Sequence, residues 1–127
     1  MTEKDLIYPE LSYIIVGILY ETHSRLGNRL HEKYYQRAIA SLLKKTKLPF
    51  KEQIPVNILI EGEKIGKYFL DFLIDGKIIL EIKTIPFFKQ QDFNQLKAYL
   101  KFSGHELGIL ANFRTDSLVF KRVLNIY

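Results

Sequence analysis

Two carboxylates interrupt the most apolar part of this sequence, Asp71 in YFLDFLI and Glu81 in IILEIK. A charge left unpaired in such surroundings is costly, so each of these groups needs a specific partner. Lys83 follows Glu81 by two residues, which places both side chains on one face if the segment is a strand. An acidic residue near the end of one strand, with Glu-x-Lys on its neighbour, is the set that metal-dependent phosphodiester hydrolysis requires. The carboxylates hold one or two hard cations, the cation acidifies a bound water, and the lysine orients that water or steadies the charged phosphate. The bland alternative is a buried ion pair that only fixes strand register.

Two more polar residues bear on that choice. On a helical wheel of about 100° per residue, Glu32 projects with Tyr35, Ile39 and Leu43, toward the interior. A first-turn Glu that pointed outward would merely complement the helix dipole. Gln95 and Tyr99 are four residues apart and share a face of a later helix. Gln95 is placed to bind phosphate or water, whereas Tyr99 reads first as a packing residue.

The elements that must position these groups follow from periodicity. Pro9 suits the first turn of a helix whose apolar positions are Leu11, Ile14, Ile15, Ile18 and Thr22, stopped by Gly27-Asn28. A second helix carries Tyr34, Tyr35, Ala38, Ile39, Leu42 and Leu43. Alternation begins at Val56, Glu61-Gly62-Glu63 turns the chain, and the runs Ile65 to Ile74 and Ile78 to Ile82 read as strands covered on both faces. Gln90 to Phe102 reads as an amphipathic helix with Phe93, Leu96, Tyr99 and Leu100 inward. Strands over Leu107 to Ala111 and Leu118 to Val123 follow. The expected class is α/β, with a helix crossing over after the third strand.

The turn between the two carboxylate-bearing strands decides whether a site can exist. Asp75-Gly76 is a strong signal for a two-residue turn. Such a turn pairs Asp71 with Leu80 and puts Glu81 on the opposite face. Function requires an odd loop count, or a bulge that restores the same parity, so local propensity and chemistry disagree here. The chemical requirement sets the expectation.

Composition narrows the classes. The 127 residues suit one domain, 1–127, with 47% hydrophobic and 26% charged residues, as in globular proteins. With no cysteine, disulfide scaffolds, thiolate zinc sites and cysteine nucleophiles are excluded. The three histidines (His23, His31, His105) are not at metal-ligand spacing, so a metal would be held by oxygen, which favours Mg2+ or Mn2+. A net charge of +5 is compatible with a nucleic-acid partner. The apolar stretch Leu11 to Tyr20 is too short for a membrane span, and the acidic lead before it is unlike an export signal. The expectations are no membrane and a cytoplasmic setting.

Asp71, Glu81-Ile82-Lys83 and Gln95-Leu96-Lys97-Ala98-Tyr99 resemble the motifs of the PD-(D/E)XK nuclease superfamily. Within it the chain resembles the small GxxExxY proteins. That likeness rests on Leu26-Gly27, Glu32 with Tyr35, Gly66-Lys67-Tyr68 and Gly108-Ile109-Leu110-Ala111-Asn112-Phe113, and spans residues 9 to 123. The resemblance implies a restriction-endonuclease-like αβββαβ core with an extra N-terminal helix and a mixed central sheet packed by helices. By position, Asp71 and Glu81 would be metal ligands, Lys83 the catalytic base or stabiliser, Glu32 a further carboxylate ligand, and Gln95 a helper from the crossover helix. The superfamily's proline before the aspartate is Leu70 here, and the glycine that names the small group falls on Arg29. The implied function is a Mg2+- or Mn2+-dependent nuclease, with DNA ahead of RNA as substrate. The alternatives are a non-catalytic interaction subunit and an enzyme acting on a small phosphorylated molecule. Nine Phe and eight Tyr would supply a partner or homodimer surface in the interaction reading.

Overall fold

The computed structural model describes residues 7–125. Helix α1 (Pro9–Leu26) opens on its proline and closes at Gly27, whose φ of 76° lets its N–H reach back to the His23 carbonyl. Helix α2 (Glu32–Thr46) follows after a short loop. Strands β1 (Phe50–Ile60), β2 (Glu63–Ile74) and β3 (Ile78–Lys83) form an antiparallel meander. Helix α3 (Gln90–Ser103) then crosses over to strand β4 (Leu107–Asn112), which runs parallel to β3, and strand β5 (Val119–Leu124) pairs antiparallel to β4. The sheet order is β1-β2-β3-β4-β5, an open mixed sheet in the α/β class.

The sheet divides two apolar cores. Leu11, Ile15 and Leu19 of α1 and Tyr35, Ile39 and Leu43 of α2 pack with Phe72, Ile74, Ile78, Leu80 and Ile109 on one face. Leu96, Tyr99 and Leu100 of α3 pack with Val56, Leu70, Ile79, Leu110 and Val123 on the other. Covered from both sides, β3 and β4 are apolar at nearly every position, as central strands must be. Gly108 lets α3 sit close: a Cβ built there would lie 3.0 Å from the Leu96 side chain.

Two expectations need correcting. The first strand begins at Phe50, not Val56, because β1 is an edge strand. Pro55 is tolerated inside it, opposite Phe69. The run Ile65 to Ile74 is not covered along its whole length. The six-residue β3 pairs only with Phe72, Leu73 and Ile74 of β2, so the outer half of β2 leaves Ile65 and Phe69 exposed at 61% and 50%. Among the described residues, no helix is long and apolar enough to cross a membrane.

Candidate active site

The hairpin between β2 and β3 resolves the conflict between local turn propensity and chemistry. Asp75 and Gly76 both adopt left-handed φ, 54° and 64°, as the Asp-Gly signal demands, and Lys77 N–H donates to the Ile74 carbonyl at 3.0 Å. The ladder nevertheless pairs Ile74 with Ile78, so Lys77 is an extra residue and the loop has three members. Continuing that register one step beyond Phe72–Leu80 sets Asp71 against Glu81.

At that step the two side chains take over from the ladder. The main-chain N–H of Asp71 donates to Glu81 Oε1 at 3.0 Å, and the N–H of Ile82 donates to Asp71 Oδ2 at 2.8 Å. The buried Glu81 also accepts the Tyr68 hydroxyl on Oε2 at 3.1 Å, and the Tyr68 ring stacks on Tyr99 with centroids 3.5 Å apart. Asp71 Oδ1 accepts Nε2 of Gln36, from α2, at 3.0 Å.

The hairpin also changes faces at this point. Phe50, Phe72 and Ile74 lie under α1 and α2, whereas Ile54, Leu70 and Tyr68, an even number of residues away, lie under α3. Regular alternation would keep them together. The reversal falls at Gln53, which stands opposite Asp71 between the pairs Glu52–Phe72 and Ile54–Leu70 and has a left-handed φ of 50°.

Electrostatics follow from the crowding. Burial, and then repulsion from Asp71, pushes the Glu81 carboxyl up to about 8. Burial also raises Asp71, against the opposing pull of the Ile82 N–H, Lys83, Gln53 and Gln36. Glu32 is the first residue of α2; half-buried, it is raised by burial and by Asp71 and lowered by Lys83. Its carboxyl thus lies within range of the charges on Asp71 and Lys83. Lys83, also half-buried, acts on all three acids through its charge. The ion pairs among the described residues, Arg25–Glu21 and Lys77–Asp75, do not include it. A register-fixing salt bridge is thus not what Lys83 makes.

The supporting residues explain parts of the sequence pattern. The Tyr35 hydroxyl donates to the Gly27 carbonyl at 2.7 Å and accepts the Leu30 N–H at 3.3 Å, so it ties down the loop that presents Glu32. Arg29, in that loop, is not among the residues with positive φ, so no glycine is needed there. Buried Asn112, paired with Lys83 across β3–β4, accepts the Ile85 N–H at 3.1 Å and donates to the Ile85 carbonyl at 2.7 Å. It fixes the chain as it leaves Lys83. Tyr99 packs, as expected. Gln95, one turn earlier on α3, is exposed and has no hydrogen bond to either carboxylate. Gln36, Gln53 and Tyr68 are the site's unforeseen members, and neutral polar types on helix and strand carry no chemical signal of their own.

The donor set suits a hard cation: oxygen atoms only, with excess negative charge that burial makes costly until a cation balances it. Asp71 and Glu81 fit such an ion. Among the described residues, no three of His, Asp and Glu are gathered closely enough to hold one unaided, so Glu32 stands back from the pair.

The profile of the PD-(D/E)XK nuclease superfamily matches residues 9–123, nearly the whole chain. The chain belongs to that superfamily. Its fold is similar to the crystal structure of SSO0001, with TM-score 0.59 and 20% identity over 98% of this chain and 62% of that one. It is also similar to an alkaline exonuclease (LHK-Exo) from Laribacter hongkongensis, with TM-score 0.52 and 14% identity over 74% of this chain and 55% of that one. The chain thus spans less than two thirds of either structure. No curated protein matches it by sequence.

Proposed function

We propose that this chain is a divalent-cation-dependent nuclease that hydrolyses phosphodiester bonds at Asp71, Glu81 and Lys83, with Mg2+ or Mn2+ as its cofactor. The observation that carries the reading is the reciprocal capping of Asp71 and Glu81, which holds two acids side by side where β2 and β3 part. Membership of a nuclease superfamily supports the same class of chemistry. In this reading Asp71 and Glu81 hold the cation and Glu32 adds charge or a water-mediated contact. A bound cation supplies Lewis-acid activation of water and neutralisation of phosphate charge. Lys83, outside the ion pairs of the described residues, orients the attacking water or steadies the negative charge that develops on phosphorus oxygens. Tyr68 and Asn112 keep Glu81 and Lys83 in place. Gln95 would reach phosphate or water from α3 only once substrate lies over the site.

Nucleic acid is the proposed partner, with DNA ahead of RNA, and the proposed setting is cytoplasmic on the sequence grounds above. A second reading, a non-catalytic interaction subunit or homodimer, draws on Tyr13 and Ile14 of α1, exposed at 81% and 41%. The deciding experiment incubates labelled DNA and RNA with the protein in Mg2+ and in Mn2+, beside Asp71→Asn. Cleavage lost in the variant supports the nuclease. Intact substrate in every lane, with tight binding retained, supports the interaction subunit.

A further inference from the structure

Asp71 sits beside Glu81, and its carboxylate is held in one orientation. The Ile82 N–H secures Oδ2 from the strand side, and the Gln36 amide secures Oδ1 from the helix side. An ionised carboxylate accepts only, so Gln36 must turn its Nε2 toward Asp71 and its Oε1 away. That Oε1 is met by Nε2 of Gln53 at 3.4 Å. Gln53 is able to reach it because its left-handed φ of 50° reverses the facing of β1 directly opposite Asp71. Glycine is the residue that adopts such a φ without steric cost, so glutamine at this position is backbone strain kept for a side chain. Even with the pull of Gln53 added to these two bonds, the Asp71 carboxylate still has a lone pair to offer.

We infer that Gln36, itself oriented by Gln53, is a positioning residue that aims the Asp71 carboxylate at the cation site. The inference rests on the reading of Asp71 and Glu81 as cation ligands and adds to it two residues from other elements. Without Gln36, Oδ1 loses its tether from the helix side, and the cation loses a prearranged ligand. Neither glutamine touches substrate or metal in this account.

The test titrates Mn2+ into the protein and follows the loss of the free-ion electron paramagnetic resonance signal. Thermal melting in chelator is measured beside it. The variants are Gln36→Leu, Gln53→Gly and Asp71→Asn. Gln36→Leu is expected to weaken Mn2+ binding by roughly 10–100-fold, as loss of a ligand-orienting partner does. Gln53→Gly is expected to weaken binding in the same direction while melting no lower than the parent, because glycine relieves the φ. A purely structural role would not separate affinity from stability in this way. Affinities within twofold of the parent for both glutamine variants, while Asp71→Asn abolishes binding, overturn the positioning role alone. A parent that binds no Mn2+, or an Asp71→Asn variant that binds it unchanged, overturns the cation-site reading and this inference with it.

Discussion

Asp71 and Glu81 exchange contacts across the parting strands: the Asp71 N–H is capped by Glu81 Oε1, and Asp71 Oδ2 caps the N–H next to Glu81. The ladder between β2 and β3 stops one residue earlier. Two acids therefore replace hydrogen bonds that a continuous sheet would have made, and the sheet opens where they meet.

Lys83→Ala should lower cleavage by roughly 10²–10⁴-fold, the usual contribution of a positioned proton-transfer or charge-stabilising group. Because Lys83 is half-buried and outside the ion pairs of the described residues, the melting temperature should stay within a few degrees of the parent. Mn2+ affinity should also persist. A variant that unfolds would mark Lys83 as structural.

The apo protein should lose stability as pH rises. The folded-state carboxyl of Glu81 sits near 8, above its ordinary 4.5, so its contribution is fully present below about 4.5 and is lost as pH climbs through about 8. Asp71 and Glu32 shift in the same direction. Melting in chelator from about pH 5 to about pH 9 should show a falling midpoint, and millimolar Mg2+ or Mn2+ should flatten it. A midpoint that rises with pH in chelator contradicts the assigned shifts.

Tyr68→Phe removes the hydroxyl that Glu81 Oε2 accepts while leaving the ring on Tyr99. The donor favours ionised Glu81, so its loss should cost more at about pH 9 than at about pH 6. The difference should approach the ~1–3 kcal/mol expected for a buried acceptor left without its partner. Urea unfolding at the two pH values measures it. Tyr68 itself stays neutral throughout, because burial and Glu81 push its hydroxyl up.

Gly108→Ala tests how α3 is seated. The added methyl meets three side-chain atoms of Leu96, a residue that is itself buried, at 3.0–3.1 Å. Destabilisation of about 1–3 kcal/mol is expected, with a lower midpoint in urea and an unchanged slope.

What could be read in advance divides along physical lines. Asp71, Glu81 and Lys83 stood out because charge in an apolar run demands explanation, and Glu32 because helical periodicity turns it inward. The β2–β3 loop was readable only by weighing chemistry against turn propensity. Its dihedrals obeyed Asp-Gly, while Lys77 supplied the offset that the local signal omits. The facing reversal at Gln53 had no local signature, since glutamine is an ordinary residue for an exposed edge strand and not one that announces a left-handed φ. Gln36 was hidden for the same reason. Its partner lies 35 residues away, and one turn of helix says nothing about which strand it faces. The start of β1 was obscured by Pro49 and Pro55, which frame the change from helical to alternating period; Pro55 lies inside the strand because β1 is at the sheet edge.

The central claim is that Asp71 and Glu81 together form a divalent-cation site. Calorimetric titration of Mg2+, with Mn2+ in parallel, into the parent protein and Asp71→Asn tests it most directly. Saturable binding by the parent that disappears in Asp71→Asn, with both proteins folded, is the predicted result. No binding to the parent at millimolar metal, or equal binding by the two proteins, would contradict it.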